Sequence, residues 1–236
     1  MLCCTGSKDS NLNTSNNKVL RMKCFDVWTR VLTIGVALTL ASTVYATEYQ
    51  GSGQVVFEGS STLHGFSGAV PLEHLIVKLE RSSPDPIQTI EAEASVSVSK
   101  MNTQNSGRDK KMRAMFGADQ WPTISGRISQ SKVDLDQFRG KKSQPTPRET
   151  SASPNTTTGE PLKLALTIRN KTVDLPVQLW GFQELPDGSI SIAMSFNVSL
   201  QSFQLKPPTV MGLIRVADLV RIHAELVLRP IETSQP

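Results

Sequence analysis

Three histidines, His64, His74 and His223, are the first candidates for chemistry in this 236-residue sequence. No two of them stand at i, i+2 or i, i+4, and no HExxH motif occurs, so the spacing offers no zinc site. His64 has the least ordinary setting. It lies in "FEGSSTLHGFSG", Phe57 to Gly68, enclosed by Ser61, Thr62, Gly65 and Phe66. Two short β-runs around polar residues suit a barrel histidine that orients a ligand better than a metal ligand or a catalytic base. His223 shares a strand face with Arg221 and Glu225, opposite an apolar row, which points it to solvent. His74 sits at a strand entry beside Glu73.

Other chemistry finds little support. There is no GxSxG elbow, and the glycines of "GSGQ" at 51–54 precede no helix that would cradle a phosphate. The carboxylate pairs Glu91/Glu93 and Asp134/Asp136 each share a strand face, which a solvated surface explains more simply than acid–base catalysis. Arg108, Lys110, Lys111 and Arg113 form a basic cluster, expected as a solvated helix face with Asp109 pairing locally, and able to touch anionic headgroups. "NTT", "NKT" and "NVS" match glycosylation sequons. The expectation is a protein that is not an enzyme and has no metal.

The elements that would position these residues are mostly strands. Period-two alternation puts Ile90, Ala92, Ala94, Val96 and Val98 on one face. It does the same for Leu162, Leu164, Leu166 and Ile168, and for Val173, Leu175, Val177 and Leu179. Further rows are Ile190, Ile192, Met194, Phe196, Val198 and Leu200, then Val220, Ile222, Ala224, Leu226 and Leu228. Weaker strands fit at 53–58, 63–70, 74–80 and 123–130, for about eight or nine in all. Long strands with one apolar face need edge protection, which closure into a barrel supplies, although a sandwich has the same pattern. "NSGRDKKMRAMFG" breaks it: Met112, Met115 and Phe116 fall at helical spacing, with Ser106 as cap, Asp109 three residues on and Gly117 as stop. One short amphipathic helix is predicted over about 106–116.

The first 46 residues read as an N-terminal extension and a secretory signal. A basic flank, the apolar run "VLTIGVALTLA" and the small-x-small site Val44-Tyr45-Ala46 place cleavage after Ala46, with Met22 as an alternative start. The run is too short for a comfortable membrane span. Those 46 residues hold five of the 25 basic and two of the 21 acidic residues, so the rest has a net charge of about +1. That leaves no basic footprint for nucleic acid. All three cysteines, Cys3, Cys4 and Cys24, precede Ala46, which removes disulfides and thiolate chemistry from residues 47–236. Within that single domain, residues 140–161 are rich in Pro, Ser, Thr and charge and read as a flexible loop, and the tail "IETSQP" as frayed.

The order of "FEGSSTLHGFSG", "SVSVSKMNTQNSGRDKKMRAMFGADQWPTISGRI", "LALTIRNKTVDLPVQL" and "VADLVRI" resembles the YceI-like family over most of residues 53–229. The RD helix with Trp121-Pro122 and the LTIR hairpin carry the specific part of the likeness. Two departures stand out. The hairpin turn is "RNKT", where the family has Arg-Gly, so Asn170 is expected at the φ > 0 position. The family's "R-x-D-F-G" is replaced by "QSFQLKPP" at 201–208. The resemblance implies an all-β, antiparallel, eight-stranded lipocalin-like barrel, exported to the periplasm. It would hold an isoprenoid quinone or polyprenyl lipid, with no other cofactor and no chemistry. The ligand-binding residues that follow are His64 and Arg108 as polar contacts and Phe66 beside them, with Met112, Met115 and Phe116 as an adaptable lid. Leu164, Leu166, Ile192, Met194, Phe196 and Val198 would form the lining. A membrane surface would be touched during ligand exchange, and a homodimer is compatible with the sequence. The competing expectations are a structural or envelope-stress protein whose barrel is filled by its own side chains, and a hydrolase or metal enzyme built on His64.

Overall fold

The alternating rows fold into eight strands. The structure, a computed structural model, describes residues 44–82, 86–140, 162–207 and 215–231. The signal segment up to Thr43, the cysteines, all but the first residue of the 140–161 loop and most of the tail lie outside these. In chain order the elements are β1 (Val44–Ser60), β2 (Gly65–Ser82), β3 (Ile87–Ser97), α1 (Ser106–Phe116), β4 (Thr123–Asp134), β5 (Leu162–Ile168), β6 (Lys171–Glu184), β7 (Ile190–Ser199) and β8 (Leu219–Pro230). Each strand pairs antiparallel with the next, and β1 also pairs with β8, so the sheet closes into a barrel and no long edge is left bare. The barrel, rather than a sandwich, is what the alternation encodes here. β1 begins three residues upstream of the boundary expected after Ala46, and Val44 to Ala46 pair with Ser82 to Glu80.

Two irregularities explain where the sequence pattern broke. The weak strands expected at 63–70 and 74–80 are one strand, β2, interrupted by a bulge between Leu72 and His74. The extra residue, Glu73, switches the inward row from Phe66, Val70 and Leu72 to Leu75, Val77 and Leu79, so one strand reads as two. His74 is therefore an exposed mid-strand residue, not a strand entry. A similar shift in β6, between Leu179 and Gly181, brings Phe182 inward.

The β5–β6 hairpin has a two-residue turn, Arg169-Asn170, with Ile168 paired to Lys171. The positive φ belongs to Arg169 (58°), not to Asn170 as expected. Tertiary contacts hold arginine in this unfavourable region. Its guanidinium donates to the carbonyl oxygens of Met115 and Phe116 at the end of α1, and it lies 5.3 Å from the Trp121 ring centroid. A cation on the orphan carbonyls of a helix C-terminus is favoured by both hydrogen bonding and the helix dipole.

The connections β1–β2, β3–β4, β5–β6 and β7–β8 gather at one end of the barrel, which also carries α1. The opposite end, the base, is packed shut. Leu135, Phe182, Ile190 and Leu228 are almost wholly buried there with Tyr49, Leu75 and Leu79. Arg81 on β2 and Glu184 on β6 stand on opposite walls, four strands apart in the ring, yet pair at 2.6 Å. Arg139 adds contacts to Glu184 and Asp136 and stacks on Phe182.

Two predictions follow from these contacts. Arg169→Ala removes the side-chain contacts that cap α1 and hold the positive φ, so urea unfolding should show a loss of about 2 kcal/mol, the usual scale for hydrogen bonds to a charged group. An unchanged midpoint would mean that α1 does not depend on this cap. At the base, hydrogen bonding to Arg81, with Arg139 nearby, holds the Glu184 carboxyl below its ordinary value of 4.5. Its contribution to stability is complete above that value and is lost as pH falls through the lowered one. Glu184→Gln should therefore lose less stability between pH 5 and pH 2 than the parent chain does, and equal losses would dissociate the acid limb from this carboxylate.

Candidate functional site

Inside the upper half of the barrel lies a cavity of about 550 Å³. Small side chains make the room. In one cross-strand row Leu75 faces Ala94, Ala94 faces Gly126 and Gly126 faces Leu166. In another, Val55 and Met194 both face Ala224. An eight-stranded barrel is only just wide enough for its own side chains to fill it. Three alanines, Ala92, Ala94 and Ala224, and a glycine, Gly126, on the inner face leave the lumen open at this level. The base has no such row and is solid.

Exposed lining residues occur only at the helix end, where His64, Asn105, Gly107 and Lys111 meet solvent. That end is the mouth. His64 sits on the β1–β2 turn, which Ser61 closes by accepting from the His64 backbone N–H and donating to the His64 carbonyl oxygen. Among the lining residues the ionisable groups are His64, Arg108 and Lys111, all at the mouth, and no carboxylate lines the cavity. His64 therefore faces no acidic partner across it.

The helix that borders the mouth is fastened through a polar knot before its first turn. Asn105, rather than the expected Ser106, is the N-cap: its side chain accepts from the Arg108 backbone N–H at 3.0 Å. Asp109 is buried and accepts from Thr103, through the backbone N–H at 2.9 Å and the hydroxyl at 2.5 Å. Arg108 donates to the Thr103 hydroxyl and carbonyl and lies 5.1 Å from the Phe66 ring centroid. Arg113 donates to the Met101 carbonyl. The basic cluster expected on one solvated face is thus divided. Arg108 and Arg113 turn inward, Asp109 binds Thr103 instead of a neighbouring cation, and of the four basic residues only Lys110 and Lys111 are exposed. Gly117 takes the left-handed conformation (φ 66°) that ends α1, and a Cβ there would sit 2.8 Å from Trp121.

Eleven of the twelve residues singled out in the sequence reach the cavity wall. His64, Phe66 and Arg108 border the mouth, Met112, Met115 and Phe116 form its helical side, and Leu164, Leu166, Met194, Phe196 and Val198 line the walls. Ile192 does not. It lies one alternation step below Met194, in the packed base. The sequence reading passed over Val55, Phe57, Val70, Leu72 and Leu75 on β1 and β2, and Ile124 and Ile128 on β4. Alternation in "QVVF" and "TISGRI" signals some of them, but glycines and the Glu73 bulge broke the rows. The stretch that departs from the family pattern, described here over 201–207, contributes core: Phe203 and Leu205 are buried beneath the helix end. The carboxylate pairs lie elsewhere. Glu91 pairs with Arg127 outside the barrel, and Asp136 with Arg139 at the base. His223 shares Glu58 with Arg221 on the outer surface. Among the described residues no three His, Cys, Asp or Glu side chains converge as a metal site, and no helix is long and apolar enough to cross a membrane.

A closed antiparallel eight-stranded barrel with one helix at the mouth of an apolar lumen defines a lipocalin-like barrel protein. Residues 42–228 match the YceI-like domain, and the chain belongs to the YceI-like family. No curated protein matches the sequence. Similar solved structures include BcnA of Burkholderia cenocepacia, at 14% identity and a TM-score of 0.49 over 74% of this chain and 95% of that one. A polyisoprenoid binding domain from Saccharophagus degradans, implicated in plant cell wall breakdown, aligns at 13% identity and a TM-score of 0.49, over 79% and 100%. The YCEI protein of Campylobacter jejuni aligns at 17% identity and a TM-score of 0.40, over 68% and 83%.

If small residues hold the lumen open, a large one should close it. Ala94→Trp should fill the cavity and abolish uptake of an environment-sensitive apolar dye, while circular dichroism and the thermal midpoint stay near those of the parent. Undiminished dye uptake by the folded variant would place the apolar site elsewhere.

Proposed function

We propose that this chain is an exported carrier that takes up a long apolar molecule inside its barrel and does no chemistry on it. The observation that carries this reading is the one-sided distribution of polarity around the cavity: apolar walls and base, with His64, Arg108 and Lys111 gathered at the mouth. Such a site needs no reactive group. Each buried methylene contributes about 0.8 kcal/mol, and a few polar groups at the opening orient a headgroup. Met112 and Met115 supply flexible apolar surface beside the entrance. Isoprenoid quinones and polyprenyl lipids are the ligand class that the family resemblance suggests. A hydrolase or metal enzyme built on His64 would need an orienting carboxylate or further ligands, and the cavity lining holds none of the acidic ones.

Export to the periplasm rests on the basic flank, apolar run and small-x-small site of the first 46 residues. Cleavage after Ala46 would remove three residue pairs from the base end of the β1–β2 ladder and leave the pairing from Thr47 onward. Lys110 and Lys111, exposed beside the mouth, would meet anionic headgroups when ligand is exchanged with a membrane surface.

Native mass spectrometry of the protein, purified from its own host without detergent, tests the carrier reading. The expected result is a stoichiometric adduct that organic extraction releases as a lipid or quinone. A bare mass that persists after incubation with polyprenyl lipids would overturn it.

A further inference from the structure

The cavity has one open end, and its depth is set by identifiable residues. Lining positions run from Val220 to Leu226 on β8, and from Met194 on β7 to Leu200 just past its end. Six residue steps cover about 20 Å along a strand, or about 15 Å along the axis of a barrel whose strands tilt by about 40°. The floor is formed by Leu75, Met194 and Leu226, which line the cavity and also pack on the base cluster beneath it. Leu75 seals this level by lying on the backbone of Gly51, where a Cβ would stand 2.2 Å from its Cδ2 atom. Below the floor, Leu228, Ile190 and Phe182 are each exposed by 2% or less, which leaves no passage to the base.

We infer that this is a blind pocket that measures the apolar tail of its ligand, admitting about 12 to 18 carbon atoms, tail end first. The lower bound comes from length. An extended chain advances about 1.2 Å per bond, a third of the span of one extended residue, so about 12 carbons reach the floor. The upper bound comes from volume: at about 30 Å³ for each methylene-sized group, close to the share of one water in the liquid, 550 Å³ holds about 18. A saturated tail of that size, or about three isoprene units, fits within the pocket. The rest of a longer polyprenyl chain stays outside the mouth. The polar end is therefore held at the helix rim, beside Arg108 and Lys111, only when the tail is short enough. This rests on the carrier reading and narrows it to single-tailed amphiphiles.

The test is a dye-displacement series with saturated fatty acids of 8 to 22 carbons on the full chain. Affinity should rise about fourfold for each added methylene and stop rising between 12 and 18 carbons. Ala224→Leu, which raises the floor beside Met194, should move the break down by about two carbons, since a leucine side chain projects about 2 to 3 Å further at 1.2 Å per bond. Met194→Ala should move it up by a similar amount, and circular dichroism would show that both variants fold. A break that neither variant moves, or affinity that climbs beyond 18 carbons, would overturn the depth limit while leaving a carrier. Failure of every chain to displace the dye would overturn the carrier reading itself.

Discussion

Closure of the sheet is the constraint on which the other features depend. β1 is hydrogen-bonded to β2 on one side and to β8 on the other, so no strand can slide or invert without breaking two ladders. Every inward side chain is thereby committed to a fixed level of one lumen. Large residues at the lower levels make the base solid, while alanine and glycine at the middle levels leave space. Bulges are the adjustments that allow closure. The one at Glu73 flips the parity of β2, so that Phe66, Val70 and Leu72 above it and Leu75, Val77 and Leu79 below it face inward on the same strand.

The two ends of the barrel are finished by different physics. At the base, apolar packing around Leu135 and Phe182 is overlaid by ion pairs that join opposite walls through Arg81, Glu184 and Arg139. At the mouth, α1 covers only part of the opening and is held by directional polar contacts. Asn105 and the Thr103–Asp109–Arg108 knot secure its beginning, and Arg169 secures its end. Those contacts consume charged groups that would otherwise crowd the entrance. A helix held at both termini can present flexible methionines to the lumen while its own position stays defined.

This division of labour gives the cavity its character. Its walls come from strand faces that alternate with outward positions, many of them polar, such as Glu93, Arg127, Thr167 and Glu225. The ionisable lining groups lie at one end because they come from the β1–β2 turn and the helix, while the strands contribute only uncharged side chains to the lining. A site built this way favours long molecules with one polar end. Such a cavity selects by depth and width more than by hydrogen bonds.

The strand faces were legible in the sequence because period-two alternation is a local property. Leu164, Leu166, Met194, Phe196 and Val198 could be assigned to an inner face without knowing their neighbours. The helix was legible for the same reason, through Met112, Met115 and Phe116 at helical spacing and Gly117 as its stop. Resemblance to the YceI-like family added the order in which these elements close. Tertiary structure alone decided the level of each residue in the lumen. Ile192 and Met194 share one face, yet one is core and the other cavity wall, because height is fixed by registers on both flanking strands. It also decided that Arg169, not Asn170, takes the positive φ, since the helix carbonyls that favour it are more than 50 residues away in the chain. The space inside the barrel was the least legible feature of all. It arises where Ala94 and Gly126 meet across a ladder, with Ala224 on another strand of the ring, and neighbours of that kind exist only once the ring is closed.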